Sequence, residues 1–565
     1  MKYIATGLWA SMVVAVATLQ TAAAQVLPVS MPVLEDALRR DQLLGRLDST
    51  ISFAIRPLDN QALLVPDIYS SGTSKNGVLM DWPSDSESMV QLMPVVWDQQ
   101  YVTKYPYGWN DGGIIPAVGY QTVVSAGVYA RYKWFSVQLR PEFVYARNLD
   151  YRGYNGSDRY AWRVWYGFAN NIDMPERFGT GSYSRVLPGQ SSVRFNYGVG
   201  SFGVSTENLW WGPGRRNALL MSNTAPGFPH LTLNTRSPIK TGIGSFEGQL
   251  IAGRLSGSGF TPTPLGNPDH FDQYYEPKRD DWRYLSGLVF TYQPKWLPGL
   301  FVGMARSFVT YSEDLGGGLS GYLPMLGPGS QSSEDPEKMK NREARMNRDV
   351  YGSVFARWLM NKGNAEIYVE YGRNDPPWNT RDLRVELDHS RAFVAGFRKL
   401  IPLDNLKTEL IQVGVEATQM DATRTADIRQ SPSWYTHDIV RHGYTHRGQV
   451  LGAGVGPGSN VQSIDVSWVR GLKRVGIQAE RFVHHNDFYY EATSDFRRRW
   501  VDIGIGLESE WDIGQLLFYG RFNYIYAYNY QYELKIPEKD WEGFWHFLPQ
   551  DKVNLQFRLG LMYRF

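Results

Sequence analysis

The end of the chain carries its plainest pattern. Val553, Leu555, Phe557, Leu559, Leu561, Tyr563 and Phe565 alternate with Lys552, Asn554, Gln556, Arg558, Gly560, Met562 and Arg564. A period of two marks a strand whose faces meet different surroundings. In a soluble sandwich the apolar face would turn inward; in a transmembrane barrel it would meet lipid, and the polar face the lumen. The same texture recurs upstream. Phe135, Val137, Leu139, Pro141, Phe143 and Tyr145 oppose Ser136, Gln138, Arg140 and Glu142, and this run joins residues 121–132 through Lys133-Trp134. Runs at 351–358 and 365–371 meet at Asn361-Lys362-Gly363, a good hairpin turn. Further pairs meet at Pro402 to Asn405, at Gly471-Leu472 and at Asp512-Ile513-Gly514.

Between these hairpins lie much longer connections, at about 256–281, 312–348, 373–390, 421–460, 484–499 and 532–552. Short turns on one side and long loops on the other are the habit of outer-membrane barrels, with the short turns periplasmic. A sandwich has no reason to segregate its loops in this way. Fourteen strands can be placed from about Ser192 onward and three before it, near Met93 to Tyr101, 121–132 and 135–145. A single-chain barrel with both termini in the periplasm needs an even number, so one strand is expected within 148–192. The expectation is an all-β, antiparallel transmembrane barrel of about eighteen strands. That parity makes Glu207 to Pro229 an extracellular loop or its inward-folded extension.

Helical periodicity is rare. VLEDALRRDQLLGRL, residues 33–47, follows Ser30 and Pro32, a possible cap and helix starter. SEDPEKMKNREARMNR, residues 333–348, is charged all round and reads as a solvated helix in a loop. The first 24 residues combine Lys2, an apolar stretch from Ile4 to about Ala17 and Ala22-Ala23-Ala24, the pattern of a secretory signal peptide. The expected organisation is a signal at 1–24, a periplasmic helical segment at 25–90 and a barrel at 91–565, residing in the outer membrane in contact with its lipid.

Composition sharpens this. The 565 residues include no cysteine, which excludes disulfide scaffolds, thiolate metal sites and a cysteine-linked lipid anchor. Mean hydropathy of −0.37 suits no helical membrane protein, whose spans each need about 20 consecutive apolar residues. A net charge of +2 lacks the basic excess of a nucleic-acid binder. The 19 Trp and 35 Tyr suggest interfacial girdles, with Tyr524, Tyr526, Tyr528 and Tyr530 at the top of one strand as an example.

One segment is not generic barrel. Ser205 to His230 reads STENLWWGPGRRNALLMSNTAPGFPH, with Trp210 and Trp211 beside Arg215 and Arg216. Aromatic faces can cover the C–H surface of sugars, and guanidinium groups make paired bonds to carboxylates. The same residues equally suit a loop folded into the lumen, with its arginines paired to luminal Glu or Asp. ENLWWGPGRRNALLMSNTAPGFPHLTLNT resembles the signature of the Wzi-like capsule assembly family. HRGQVLGAGVGPGSN, residues 446–460, resembles a second family segment, and YGWNDGGIIPAVGYQ, residues 107–121, resembles the form of the early strands in its Bacteroidetes branch. The terminal Phe565 resembles the signal by which outer-membrane barrels engage their assembly machinery. The resemblance implies a barrel of about eighteen strands, a small helical part at its periplasmic end, and a lectin-like role in attaching capsular or other surface polysaccharide. It does not imply an export channel, and it leaves the glycan open.

Catalytic chemistry finds no comparable signature. A glycosidase needs two carboxylates roughly 5–9.5 Å apart; Glu207, Asp487 and Asp495 are available, and nothing singles out a pair. His442 with His446, and the adjacent His484 and His485, lack the helical setting of a metal motif, and Gly454 to Gly458 lacks the ending of a phosphate loop. No cofactor and no metal is called for. The expectation is a polysaccharide-binding protein rather than an enzyme, with a porin or sugar channel and a glycan- or lipid-modifying enzyme as alternatives. The expected contact set, or its immediate support, is Trp210, Trp211, Arg215, Arg216, Asn217, His230, Arg447 and Asn460.

Overall fold

Alternation along the sequence becomes alternation of surroundings in the computed structural model. The structure describes residues 26–63, 69, 78–81, 88–156, 159–265, 268–326, 347–374, 377, 379–429, 431–493, 495–535, 545 and 547–565. The expected export signal and the charged stretch up to Met346 lie outside these residues; Arg348 already begins a strand.

Eighteen antiparallel strands form one closed sheet. The first five are Ser88–Val102 (β1), Gly119–Tyr132 (β2), Phe135–Leu139 continued by Glu142–Ala146 (β3), Tyr183–Leu187 continued by Ser192–Tyr197 (β4) and Gly200–Ser205 (β5). His230–Thr235 with Ile239–Lys240 (β6), Gly244–Leu255 (β7), Arg283–Pro294 (β8), Leu300–Tyr311 (β9), Arg348–Met360 (β10) and Ala365–Arg373 (β11) follow. The rest are Arg391–Pro402 (β12), Glu409–Gln419 (β13), Asn460–Arg470 (β14), Lys473–Val483 (β15), Val501–Ile513 (β16), Leu516–Tyr528 (β17) and Lys552–Tyr563 (β18). β18 closes the sheet on β1, with Phe557 opposite Tyr101 and Tyr563 opposite Val95. Closure leaves no open edge, as a lipid surround demands.

The faces sort as a membrane requires. On β3, Ser136, Gln138, Arg140 and Glu142 are buried while Leu139 and Phe143 are exposed. On β18, Asn554, Gln556 and Arg564 are buried, and Leu559 is 65% exposed. A soluble sandwich would show the opposite arrangement. Pro141, which has no N–H to give, sits where β3 is interrupted, and the carbonyl of Arg140 accepts instead from the Gln190 amide of the interrupted β4 at 3.0 Å.

That interruption corrects one expectation. Residues 148–192 hold no complete hidden strand; they hold a helix, Arg159–Asn170 (α2), and only the first half of β4. Fifteen strands therefore run from Tyr183 onward, and the total of eighteen stands. The break at 188–191 divides the alternation of β4, which is why its first half was not legible. Tyr530 is a second correction: Tyr524 and Tyr528 are exposed on the outer face, but Tyr530 lies past the end of β17 and is buried against Tyr105 and Trp500.

The helix Pro32–Leu43 (α1) has Pro32 in its first turn as expected, but Met31, not Ser30, occupies the cap position. It stops before Leu47 because Gly45 adopts a left-handed φ of 75°. It lies against the short-turn end of the barrel: Asn361 donates to the Gln42 carbonyl at 2.9 Å, and Arg40 to that of Gly471 at 3.3 Å. Beside the apolar Val33, Leu34 and Leu43, its buried residues include Arg39, Arg40 and Gln42, which meet a polar wall. Arg39 donates to Glu366 on β11 at 3.0 Å, and Glu366 also takes Arg357 at 2.7 Å and Arg398 at 2.9 Å. Arg398 in turn donates to Asp36 at 2.6 Å. One fully buried carboxylate thus gathers three guanidinium groups, two from the wall and one from α1.

Removing a carboxylate from such a cluster strands buried charge, which costs about 3–5 kcal/mol. Glu366→Gln is expected to lower the urea midpoint of the detergent-solubilised protein accordingly. Arg46→Ala, at an exposed pair with Asp41, is expected to leave it within about 0.5 kcal/mol.

Candidate functional site

The connection from β5 to β6, residues 206–229, does not stand above the barrel but runs down into the lumen. Trp210 and Trp211 pair as a short ladder with Arg56 and Ile55 of the N-terminal segment. Arg39 donates to the Pro213 carbonyl at 2.7 Å, so α1 grips the loop directly. The loop's own amides complete the attachment. Glu416 on β13 accepts from the backbone N–H groups of Arg215 at 2.8 Å, Arg216 at 3.1 Å and Asn217 at 2.9 Å, and from the Tyr368 hydroxyl at 2.7 Å. Successive amides turned on one carboxylate make an anion nest.

This geometry places the sequence-predicted residues. Trp211 is fully buried; its indole donates to Gln249 at 2.9 Å, and its ring tip packs on Gly287, where a Cβ would come within 2.6 Å. Trp210 is buried beneath the Arg56 guanidinium at 4.5 Å. Arg215 reaches Asp465 at 3.3 Å and Asp36 at 3.6 Å, and Arg216 pairs with Glu480. Asn217 is buried behind the nest. His230 Nδ1 lies 2.8 Å from the Phe228 carbonyl, and Asn460 takes the Met420 amide at 3.0 Å. Trp210 through Asn217 come together in the plug. His230 and Asn460 lie at the roots of loops, and Arg447 stands apart beside Arg185 and Tyr183. It makes no ion pair among the described residues.

Asp36 illustrates the electrostatics of the plug. Burial opposes its charge, but Arg398, Arg40, Arg215 and Arg474 outweigh burial and hold its carboxyl well below the usual range. A cavity of about 260 Å³ between α1 and the β14–β18 wall is lined by such pairs, including Arg474 with Glu508 at 2.5 Å and Arg558 with Asp98 at 2.5 Å.

A second cavity, of about 360 Å³, lies beyond it under the long loops. It falls in the roughly 300–1,000 Å³ range of small-molecule sites. Its wall is aromatic and is assembled from five connections. Tyr105, Tyr107 and Trp109 come from the β1–β2 loop, and Tyr151, Tyr154, Trp165 and Phe168 from the β3–β4 loop. His484, Phe488 and Trp500 come from the β15–β16 loop, Tyr530 and Tyr532 from the β17–β18 loop, and Gly454 to Pro457 from the β13–β14 loop. Asp502 sets two of these rings at once: it accepts from Trp500 Nε1 at 2.8 Å and from the Tyr105 hydroxyl at 3.1 Å, and it lies 3.0 Å from His484 Nε2. His484 stacks on Trp500 with centroids 3.7 Å apart.

The cavity floor is where three sequence motifs meet. Trp109 Nε1 donates to the Arg216 carbonyl at 3.2 Å, and the Arg216 guanidinium lies 5.5 Å from that ring. Gly454 packs against the same residue; a Cβ there would come within 2.3 Å of Trp109 Cβ. The segment from Tyr107 to Val118, expected to resemble a strand, is mostly a strap across the lumen, with β2 beginning only at Gly119. Its Gly112 amide donates to the Asn223 carbonyl at 2.7 Å, which ties it to the plug rather than to the sheet.

Sequence reasoning missed this aromatic cavity because Trp and Tyr in a barrel are first assigned to girdles. The available signal was position: His484, Phe488 and Tyr532 fall in the long connections at 484–499 and 532–552, where no girdle forms. The candidate acids are otherwise engaged. Glu207 is sealed between Arg194 at 2.6 Å and Ser205 at 2.8 Å, Asp495 holds Arg497 at 2.7 Å, and Asp487 takes the Ala422 amide at 2.7 Å. His442, pushed down to about 3 chiefly by burial, lies 2.9 Å from the Tyr311 hydroxyl. His446 accepts from the Ser256 amide at 3.1 Å. Among the described residues no cluster of three or more His, Asp or Glu could hold a metal.

A family model for capsule assembly protein Wzi matches residues 99–485. None of the curated proteins matches the chain. Among solved structures, Wzi of Escherichia coli, described as an outer membrane protein involved in group 1 capsule assembly and as a carbohydrate-binding β-barrel, superposes with a TM-score of 0.56. It is 13% identical, over 96% of this chain and 100% of that one. OccAB2 of Acinetobacter baumannii gives 0.40 at 11% identity over 83% and 97%, and OpdQ of Pseudomonas aeruginosa 0.36 at 8% over 83% and 96%.

Two outcomes test this description. Trp211→Ala empties a sealed site and is expected to cost about 3–5 kcal/mol in urea unfolding. Burial pushes Glu176, on the cavity wall, up from 4.5 to about 7. The unfolded chain therefore releases this proton first, so stability is full below about pH 4.5 and falls as pH rises to about 7. Melting temperatures across that window should show this fall, and Glu176→Gln should reduce it.

Proposed function

Since the chain belongs to the Wzi family of outer-membrane capsule assembly proteins, we propose that it works as a lectin, holding capsular or other surface polysaccharide at the cell surface. The observation that carries the reading is the aromatic cavity of about 360 Å³ under the long loops. Sugar rings present C–H faces that stack on Trp and Tyr, while hydroxyl groups at the ring edge find polar partners. Trp109, Trp165 and Trp500, each only partly buried, offer such faces, and Asp502 fixes the last of them in advance. A preset wall binds without the cost of ordering side chains at the moment of contact.

The residues expected from sequence take supporting roles in this reading. Trp210, Trp211, Arg215, Arg216 and Asn217 build the plug that supports the cavity, with Arg216 seating Trp109. His230 and Asn460 anchor the roots of the surrounding loops. Arg447, with Arg185 beside it, is the position suited to an acidic substituent on a chain lying outside the cavity. With α1 and residues 206–229 inside the lumen, the arrangement favours a surface binder over an open channel. The engagement of Glu207, Asp487 and Asp495 with neighbouring groups favours binding over hydrolysis.

The test is retention of polysaccharide. Trp500→Ala in the cavity is expected to reach the outer membrane at wild-type amounts, yet to shift polysaccharide from the cell-attached to the shed fraction, towards the level of a deletion strain. Cell-attached polysaccharide at the wild-type level in that variant would sink this assignment.

A further inference from the structure

The two cavities divide the charges of the lumen unequally. The lower one is crowded with guanidinium groups, each held by a carboxylate. The aromatic one, among the described residues, has no lysine or arginine in its wall. Its ionisable lining consists of Asp111, Glu176, His484, His485 and the tyrosines. Asp111 is bound to Arg558 at 2.5 Å, and His484 is turned to Asp502. His485, whose ring nitrogen takes the Phe488 amide at 3.3 Å, is held neutral chiefly by burial, which drops it to about 3. Glu176 remains as a carboxyl group with no cation paired to it among the described residues: one oxygen takes the Tyr154 amide at 3.2 Å, and the other has only the neutral Thr263 side chain to turn to.

Three arginines of the surrounding loops cannot serve a ligand without abandoning a partner. Arg216 is held by Glu480, Arg152 by Glu533 at 2.7 Å and Arg177 by Asp150 at 2.7 Å. A carboxylate brought into a largely apolar enclosure loses its hydration, and only a paired cation compensates. Here a uronate would instead meet the Glu176 carboxyl. A neutral or N-acetylated sugar loses far less on entry, and its C–H face finds the rings.

We infer that the aromatic cavity selects sugar units without a carboxylate, its cation-free wall and the Glu176 carboxyl together excluding uronates. In an acidic polysaccharide the cavity would then take the uncharged residues of the repeat and leave the acidic ones outside. This inference rests on the reading of the cavity as a glycan site.

Purified, detergent-solubilised full-length protein should be titrated, with tryptophan fluorescence and calorimetry as readouts, against two matched panels. One holds hexose and N-acetylhexosamine oligosaccharides without charge, the other glucuronate- and galacturonate-containing oligosaccharides of equal length. The best uncharged ligand is expected to bind at least about tenfold more tightly than the best uronate, equivalent to about 1.4 kcal/mol. Glu176→Arg should narrow or reverse that ratio, and Glu176→Gln should weaken the discrimination without adding a cation. Uronates bound as tightly as uncharged sugars by the wild-type protein overturn the inference and leave the glycan reading standing. Saturable binding by neither panel overturns both. The wild-type comparison decides the matter even if a Glu176 variant fails to fold.

Discussion

Glu416 does more to organise this molecule than any other single side chain. It projects from the wall of a closed sheet into a lumen where polar groups need partners. It finds them in three successive amides of Arg215, Arg216 and Asn217 and in the Tyr368 hydroxyl. That nest holds the turn at Arg215 to Asn217 inside the barrel, beside the ladder that ties Trp210 and Trp211 to Arg56 and Ile55. Because the loop lies there, α1 can seat Arg39 on the Pro213 carbonyl while the same guanidinium meets Glu366. The wall, the loop and the N-terminal segment thus satisfy one another's polar groups, as burial requires.

The plug also decides where space remains. Trp211, Leu219 and Met221 pack with Leu285, Val309, Tyr351 and Val394, on walls from the middle of the sheet. The side lined by β14 to β18 and β1 is left with the two cavities. The strap from Tyr107 to Gly112 separates them, held to the plug by Trp109, Asn110 and Gly112. The unusual residues of three separate sequence segments therefore serve one junction. Gly454 is glycine because Trp109 occupies the space that a side chain would need. That explanation is architectural, and it is why aromatic and arginine-rich stretches that stand out in the sequence need not be the ones that meet a ligand.

Membrane strands and binding loops differ in what they reveal about themselves. Each residue of a strand must face lipid or lumen, so the alternation of β18 or of the first half of β3 states the environment of every position. The apolar residues proved to be the exposed ones, the clearest sign of which solvent surrounds the sheet. Short turns such as Asn361 to Gly363 were legible for the same local reason. The N-terminal helix was legible as a helix, but not its buried Arg39, Arg40 and Gln42, because a polar lumen reverses the usual relation between burial and hydrophobicity.

The sequence by itself determined the closed sheet and the segregation of its loops through period-two patterning and local turn chemistry, the count of eighteen strands through parity, and the kinship of its signature segments through their motifs. Only the tertiary structure decided that Trp210 and Trp211 point into the plug, that Tyr530 leaves the girdle for the interior, and that rings from five loops enclose one cavity. Those outcomes depend on groups hundreds of residues apart, such as Trp109 with Arg216 and Gly454, or Tyr105 with Trp500 through Asp502. No local period records which loop will meet which. The charge of the aromatic wall belongs to the same class of property, since the five loops that the fold brings together place no lysine or arginine, among the described residues, in its lining.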